Sequence, residues 1–82
     1  MDEVEIRRKI LKNIYDLDKI TQGYSFDSRD LLEKLNVTSD ELFSNAKDLE
    51  KDGYIKLEKF LGDEFKAKIT PQGIKKVEKM DY

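Results

Sequence analysis

The stretch that decides the fold is residues 38–73, which reads TSDELFSNAKDLEKDGYIKLEKFLGDEFKAKITPQG. It opens on Thr38 with Glu41 three residues later, a spacing at which each side chain can accept a hydrogen bond from the backbone amide of the other residue. Gly53 then supplies the left-handed residue that commonly ends a helix. These two signals predict a capped helix between them, the third in the chain. Its predicted buried stripe is Leu42, Ala46 and Leu49.

Two runs in which apolar and charged residues alternate, residues 54–60 and 64–69, follow this helix. Such alternation places the apolar side chains on one face of a strand. Gly62 and Asp63 lie between the runs and mark a turn. The two runs therefore predict a β-hairpin.

The register of the hairpin depends on which residues form its loop. A two-residue loop would mix apolar and charged faces, whereas a three-residue loop at 61–63 or at 62–64 keeps apolar residues opposite apolar ones. The first of these places Lys56 opposite Lys68, a like-charge pair that costs stability, and the second places Glu58 opposite Lys68. Charge pairing therefore favours the loop at 62–64.

The hairpin leads directly into a predicted C-terminal helix. Thr70 can cap this helix, and Pro71 fits its first position, where a missing N–H costs nothing. Ile69 and Ile74 have the spacing of a hydrophobic staple across the start. We expect Ile74 and Val77 to face the core and the lysines of this segment to face solvent.

Two more helices are predicted before residue 38. Apolar residues recur at helical spacing over residues 4–20, which predicts an amphipathic first helix. Residues 24–26 are expected to be a short extended piece that pairs with the hairpin, and Asp27 is expected to cap a second helix. Asn36, which tolerates a left-handed conformation, is the predicted end of that helix. The apolar stripe of the first helix is Ile6, Ile10, Leu11, Ile14, Leu17 and Ile20.

The chain is short and heavily charged. Its 82 residues, 38% hydrophobic and 41% charged, are expected to form a single domain, residues 1–82, with a modest core. Dimerisation would supplement such a core, so a homodimer is one expected partner.

The composition argues against several kinds of chemistry. There is no Cys and no His, which excludes disulfides, Cys/His zinc sites, His general bases and Cys nucleophiles. No paired-carboxylate motif, glycine-rich phosphate loop or metal-ligand spacing is found. We therefore expect no enzyme activity, no catalytic residue, and no bound metal or cofactor.

The sequence also predicts a cytoplasmic protein with no membrane partner. No apolar run approaches the roughly 20 residues that span a bilayer. The acidic start MDEVE, residues 1–5, lacks the basic and apolar regions of a secretory signal.

Charge is distributed unevenly along the chain. The net charge is −2 and the isoelectric point is about 5.2, whereas many nucleic-acid-binding domains lie above about 9. Residues 1–53 carry 9 Lys and Arg against 13 Asp and Glu, and residues 54–82 carry 7 Lys against 5 Asp and Glu. Any basic surface is therefore local. The basic cluster of the first helix can be a solvated face or a patch for phosphate or an acidic partner; it consists of Arg7, Arg8, Lys9 and Lys12.

The order helix, short strand, helix, turn, helix, hairpin, helix resembles the winged-helix family, in particular small one-domain forms similar to MarR-type and PadR-type transcription regulators. Residues 49–55, LEKDGYI, look like the family's exit from the recognition helix, and residues 69–73, ITPQG, look like its Thr-Pro-x-Gly exit from the wing. The resemblance covers residues 4–80. It implies an α+β fold, mostly α: a winged helix-turn-helix with a three-helix core, a β-hairpin wing and a C-terminal helix.

The resemblance also implies binding of double-stranded DNA and a role in transcription regulation. In such regulators the third helix enters the major groove and the wing touches an adjacent groove or the backbone. The third helix here has no Arg and many acidic residues, so we expect the wing to contribute more than the helix. Carried over residue by residue, the nucleic-acid-binding positions are Ser39, Phe43, Ser44 and Lys47 on the helix and Lys56, Lys59, Lys66 and Lys68 on the wing.

The alternative function is a winged-helix module for protein–protein interaction with no DNA binding. The acidic third helix would be its surface, and an exposed Phe43 would anchor the partner. The spacing equally fits a Phe43 that turns sideways and covers the first helix. Exposure of Phe43 and a test of duplex DNA binding would distinguish the two functions.

Overall fold

Helices and one small antiparallel sheet build the part of the chain that is described. The computed structural model describes residues 2–60, 62 and 64–80. The elements found there are α1 (Glu3–Ile20), β1 (Phe26–Asp27), α2 (Ser28–Leu35), α3 (Ser39–Lys51), β2 (Ile55–Lys59), β3 (Phe65–Ile69) and α4 (Pro71–Met80). An α+β class that is mostly helical is therefore confirmed, and the predicted order of elements is present.

Side chains cap α2 and α3 at the predicted residues. The Asp27 carboxylate accepts a hydrogen bond from the Arg29 amide at 2.9 Å. At α3, the Thr38 amide donates to Glu41 Oε1 at 3.0 Å and the Glu41 amide donates to Thr38 Oγ1 at 3.1 Å. Both orphan amides are thus satisfied, and the predicted capping box is confirmed.

Left-handed residues end both helices of this pair. Asn36 has φ 54° at the end of α2, and Gly53 has φ 84° just after α3. The Gly53 amide donates to the Glu50 carbonyl at 2.9 Å, and the Tyr54 amide donates to the Leu49 carbonyl at 3.0 Å. These are the two bonds of a Schellman motif, which satisfies carbonyls at the helix end.

A single junction ties the end of α3 to the start of α4. Thr70 Oγ1 donates to the Gly53 carbonyl at 2.6 Å and accepts from the Gly73 amide at 3.0 Å. Gly73 lies so close to Tyr54 that a Cβ atom there would collide with the Tyr54 carbonyl oxygen. We call these four residues the α3–α4 joint. The predicted cap at Thr70 is confirmed, and it serves two helices rather than one.

The sheet has the order β1-β3-β2, with both pairs antiparallel. β1 pairs Phe26 with Ala67 and Asp27 with Lys66. The predicted pairing of an extended piece with the hairpin is thus confirmed at Phe26, although the strand begins two residues later and ends one residue later than predicted. The apolar residues of β3 face the core, as the alternation predicts, since Phe65 and Ala67 are buried.

The favoured hairpin register is wrong. The structure pairs Lys56 with Lys68 and Glu58 with Lys66, which is the register of a loop at 61–63. Glu58 therefore does not lie opposite Lys68. Leu61 and Asp63 themselves lie outside the described residues.

The position at which β3 ends explains this register. In the structure Ile55 lies opposite Ile69, the last residue before the cap of α4. The other loop would have placed Ile55 opposite Pro71, which has no amide and already belongs to α4. This constraint outweighs one exposed like-charge pair, which costs roughly 0.2–1 kcal/mol.

One apolar core lies between α1, the sheet and the other helices. The predicted stripes are largely confirmed: Leu42, Ala46 and Leu49 of α3 are buried, as is Val77 of α4. Ile20 is an exception, because the last residue of α1 extends past the core and is 80% exposed. The buried apolar residues of α1 are Ile6, Ile10, Leu11, Ile14 and Tyr15.

A buried amide links α1 to α3 and was not predicted. Asn45 is 1% exposed; its Oδ1 accepts from Arg7 Nη1 at 3.1 Å and its Nδ2 donates to the Glu41 carbonyl at 2.7 Å. Arg7 Nη1 also lies 3.6 Å from Asp48 Oδ2. One member of the basic cluster of α1 thus holds α3 in place.

Buried Ser28 supplies a hydrogen bond where the sheet ends. Its Oγ accepts from the Phe65 amide at 3.1 Å, at a point where β1 no longer covers β3. We expect Ser28→Ala to cost about 1–2 kcal/mol, because the buried Phe65 amide loses its partner. The midpoint of thermal unfolding should fall by about 5–10 °C.

The control for this prediction is Ser25→Ala, which removes a hydroxyl from an exposed position three residues earlier. It should change stability by less than about 0.5 kcal/mol. Equal unfolding midpoints for Ser28→Ala and the unaltered chain would show that the Phe65 amide does not depend on Ser28.

The capping box gives α3 an acid-sensitive start. The Thr38 backbone amide, and after it the Thr38 hydroxyl, bonds the Glu41 carboxylate and holds its pKa below the ordinary value of 4.5. Because the folded-state pKa is lowered, ionised Glu41 stabilises the fold above the ordinary pKa, and this contribution disappears as pH falls through the folded pKa. We expect thermal stability to fall more steeply between about pH 6 and pH 3 in the unaltered chain than in Glu41→Gln.

Glu33→Gln removes one carboxylate from α2 and corrects for the change in net charge. If Glu41→Gln and the unaltered chain lose stability in parallel on acidification, the capping carboxylate does not contribute in this way.

None of the helices in residues 2–60, 62 and 64–80 combines the length and the apolar character that a bilayer crossing needs.

Candidate nucleic-acid interface

The side of α3 that faces away from the core carries two lysines. Four exposed residues at helical spacing lie opposite the buried side of the helix, and we call them the outer stripe of α3: Asp40, Ser44, Lys47 and Lys51. The stripe holds one carboxylate and two ammonium groups, so it is weakly positive. Lys51 was missed by sequence reasoning, although its position four residues after Lys47 places it on the same helix face.

The other acidic groups of α3 have partners within the fold, although the Asp48 side chain is still 55% exposed. Glu41 bonds Thr38 in the capping box. Asp48 lies beside Arg7 of α1 at 3.6 Å. Glu50 turns the other way, and its Oε2 accepts from the Leu57 amide at 3.0 Å. The acidity that the sequence gives this helix is therefore directed mainly to its flanks and not to the outer stripe.

Phe43 is half-buried and packs on the sheet. Its ring centroid lies 6.2 Å from that of Phe65, with the planes tilted by 40°. This contact is with β3, whereas the packed interpretation of the sequence had placed the ring over the first helix. Lys47 Nζ lies 5.4 Å from the centroid of the Phe43 ring, within the range of a cation–π contact. The Phe43 ring therefore contacts both Phe65 and Lys47, and it is not freely exposed to bind a partner.

Lys59 shares a side of the sheet with Phe43. It lies opposite Phe65 in the hairpin register, and residues directly opposite in an antiparallel pair share a face. Lys59 and Phe65 therefore project from the same side as the Phe43 ring. Phe60, the next residue, is 48% exposed at the end of the hairpin. Lys47 and Lys59 consequently lie on one side of the molecule.

The remaining hairpin lysines project from the opposite side of the sheet. We call Lys56, Glu58, Lys66 and Lys68 the outer sheet face; all four are exposed. The register places Lys56 directly opposite Lys68 and Glu58 opposite Lys66, and an open groove of about 260 Å³ lies along them. The face has an excess of positive charge, but the sheet separates it from Lys47.

The structure therefore divides the predicted interface in two. Except for half-buried Phe43, the predicted residues are exposed, and Ser39 and Ser44 lie on α3 as expected. The alternation of the hairpin could have predicted this division. Alternate residues of a strand project to opposite faces, and Lys59 has an odd residue number whereas the other three lysines have even numbers. In the part of the chain that is described, no group of three or more His, Cys, Asp or Glu side chains is placed to hold a metal ion.

No protein-family model matches this chain, and no match to it was found among curated proteins or among solved structures.

Proposed function

We propose that this chain is a winged helix-turn-helix domain that binds double-stranded DNA and acts in transcription regulation. One observation carries the proposal: α3 follows α2 after a tight turn at Asn36 and presents Lys47 and Lys51 outward, beside a hairpin whose end carries Lys59. An outward helix beside a basic hairpin is the arrangement with which such domains contact a duplex.

The dimensions of α3 suit the major groove. Its 13 residues span about 20 Å at 1.5 Å per residue. The groove is about 12 Å wide and admits one helix. The outer stripe is free of bulky apolar residues, so the helix can approach base edges closely.

The chemistry of the outer stripe suits phosphates and some base edges. Lys47 and Lys51 can neutralise phosphate or bind guanine, Ser44 can bond either donors or acceptors, and a carboxylate such as Asp40 can accept from cytosine N4. Helix N-termini often bind phosphate, but that of α3 is already occupied by its own Glu41 carboxylate. Phosphate contacts must therefore come from the lysines.

The end of the hairpin is the second part of the proposed interface. Lys59 lies there on the side of the sheet that α3 occupies, and exposed Phe60 is the next residue. Lys56, Lys66 and Lys68 project from the other side of the sheet and are proposed to contribute long-range attraction more than direct contact. This changes the balance expected from the sequence, in which the wing lysines were expected to contribute most.

Salt dependence of duplex binding tests the proposal. The full chain should bind mixed-sequence duplex DNA at about 50 mM salt, and the logarithm of its affinity should fall with the logarithm of salt concentration by about 0.9 for each phosphate neutralised. Undetectable binding at about 50 mM salt would overturn the proposal.

The alternative module for protein–protein interaction depended on an exposed Phe43. Because Phe43 is half-buried and in ring contact with Phe65, no specific feature of α3 favours that alternative, and we do not propose it.

A further inference from the structure

A groove beside α4 is lined by three lysines, and none of its lining residues in the described part of the chain is acidic. The groove is open, has a volume of about 430 Å³, and is bounded by Tyr54, Gln72, Lys75, Lys76 and Lys79. We call these five residues the α4 groove. Lys75 and Lys79 are exposed, and Lys76 is half-buried. Three ammonium groups therefore share one groove in a chain whose net charge is −2.

The one acidic residue of α4 is turned toward α1. Glu78 Oε2 accepts a hydrogen bond from Tyr15 Oη at 3.1 Å, which directs its carboxylate to the side of α4 that faces α1. In the part of the chain that the structure describes, none of Lys75, Lys76 and Lys79 forms an ion pair. The positive charge of the α4 groove is therefore available to a ligand.

Tyr54 adds an aromatic surface to the α4 groove. Lys76 Nζ lies 5.6 Å from the centroid of the Tyr54 ring, within the range of a cation–π contact. The backbone of Tyr54 is held on both sides, because its amide donates to the Leu49 carbonyl and its carbonyl accepts from the Thr70 amide, both at 3.0 Å. The side-chain amide of Gln72 offers donors and an acceptor in the same groove. A flat ring in a fixed position thus lies among flexible cations.

This combination of groups fits phosphates that are attached to a flat ring. Lys75 and Lys79 are four residues apart on one helix, so their Cβ atoms lie about 5–6 Å apart and their flexible stems can converge on one polyphosphate. Each ammonium group offers three hydrogen-bond donors, and lysine commonly binds phosphate. Nucleic-acid bases of every kind stack on aromatic side chains. A ligand that carries both a polyphosphate and a base would use all of these groups.

We propose that the α4 groove binds a nucleoside polyphosphate, with its phosphates between Lys75 and Lys79 and its base against the Tyr54 ring. Lys76 is expected to turn from the ring to the phosphates, which leaves the ring to the base. The α4 groove shares no residue with the outer stripe of α3, so the inference does not rest on DNA binding.

The binding is expected to be weak and dependent on salt. The groove is open to water, where each pairing of an ammonium group with a phosphate contributes little. We therefore expect a Kd of about 0.1–1 mM at about 50 mM salt. The affinity should decrease as added salt screens the charges.

Titration of the full chain with three probes tests which parts of the ligand are recognised. The probes are adenosine triphosphate, inorganic triphosphate and adenosine, without divalent cations, and binding is followed by calorimetry. Adenosine triphosphate should bind at least about three-fold more tightly than inorganic triphosphate, and adenosine should not saturate the chain up to about 1 mM. Equal affinities for the two phosphates, or for adenosine and adenosine triphosphate, would overturn the assignment of a nucleoside polyphosphate.

Two double variants locate the binding site. Lys75→Ala with Lys79→Ala should weaken the binding of adenosine triphosphate about ten-fold. Lys66→Ala with Lys68→Ala removes the same charge from the outer sheet face and should change the affinity by less than about two-fold. All four lysines are exposed, and circular dichroism verifies that both variants fold. Equal losses in the two variants, or no saturation of the unaltered chain up to about 5 mM adenosine triphosphate, would overturn the proposal.

Discussion

Replacing Gly73 by alanine should destabilise the domain by about 2–3 kcal/mol and lower its thermal midpoint by about 10–20 °C. The expected change in stability has the opposite sign to the change that helix propensity alone predicts. Alanine inside a helix is normally better than glycine by about 0.5–1 kcal/mol. At this position, however, an added Cβ would collide with the Tyr54 carbonyl oxygen and lie 2.7 Å from Cγ1 of Ile69.

The collision is with backbone and cannot be relieved by a change of rotamer. Tyr54 is fixed by two hydrogen bonds: its amide donates to the Leu49 carbonyl at 3.0 Å, and its carbonyl accepts from the Thr70 amide at 3.0 Å. Moving α4 away would break that bond and open the core near Val77, which is 4% exposed. The clash therefore destabilises the α3–α4 joint as a whole.

Thermal unfolding followed by circular dichroism measures the effect of Gly73→Ala. Lys75→Ala is the matched control, since it adds alanine to the same helix at an exposed position and should change stability by less than about 0.5 kcal/mol. A Gly73→Ala protein as stable as the unaltered chain, or more stable, would contradict the close approach of α4 to Tyr54.

Replacing Thr70 by valine should cost about 2 kcal/mol. The two side chains have nearly the same shape, so the change removes the hydroxyl and little packing. The lost hydroxyl both donates to the Gly53 carbonyl at 2.6 Å and accepts from the Gly73 amide at 3.0 Å. The end of α3 and the start of α4 would lose a partner together.

Denaturant unfolding of Thr70→Val and Thr70→Ser measures this contribution. Serine keeps the hydroxyl and should lose less than half as much stability as valine. If serine and valine are equally destabilising, the effect comes from the methyl group and its packing, and the shared hydrogen bonds are not important.

The ends of the helices could be predicted from the sequence because interactions between residues close in sequence determine them. Thr38 and Glu41 are three residues apart, and their capping box depends on little else. Asn36 and Gly53 adopt left-handed conformations that few other residues tolerate. These signals fixed where α2 and α3 end and where α3 begins.

The hairpin register was not readable from the strands alone. Pairing of Glu58 with Lys68 is electrostatically favourable, but that prediction did not take into account the residue at which β3 must end. The Thr70 hydroxyl, bonded to Gly53, fixes that point, and contact with the end of α3 is a tertiary feature. An exposed like-charge pair between Lys56 and Lys68 is a small penalty by comparison.

The candidate site could be predicted only in part, for a similar reason. The predicted contact residues lie on α3 and on the hairpin, where the sequence places them, but the direction of charge on α3 depends on partners elsewhere in the chain. Asp48 lies beside Arg7 of α1, 41 positions earlier in the sequence. Glu50 bonds the amide of Leu57. Without those partners the helix reads as uniformly acidic, and the outer stripe with Lys51 is hidden.

The most direct test of the proposed function compares two matched pairs of lysines. Lys47→Ala with Lys51→Ala removes two charges from the outer stripe of α3, and Lys66→Ala with Lys68→Ala removes two from the outer sheet face. Affinity for a mixed-sequence duplex would be measured at several salt concentrations, with circular dichroism to verify folding. We predict that the α3 pair weakens binding at least ten-fold and lowers the salt slope by about 1.8, and that the sheet pair changes the slope by less than about 0.9. Equal losses in the two variants, or a larger loss from the sheet pair, would contradict the placement of DNA against α3.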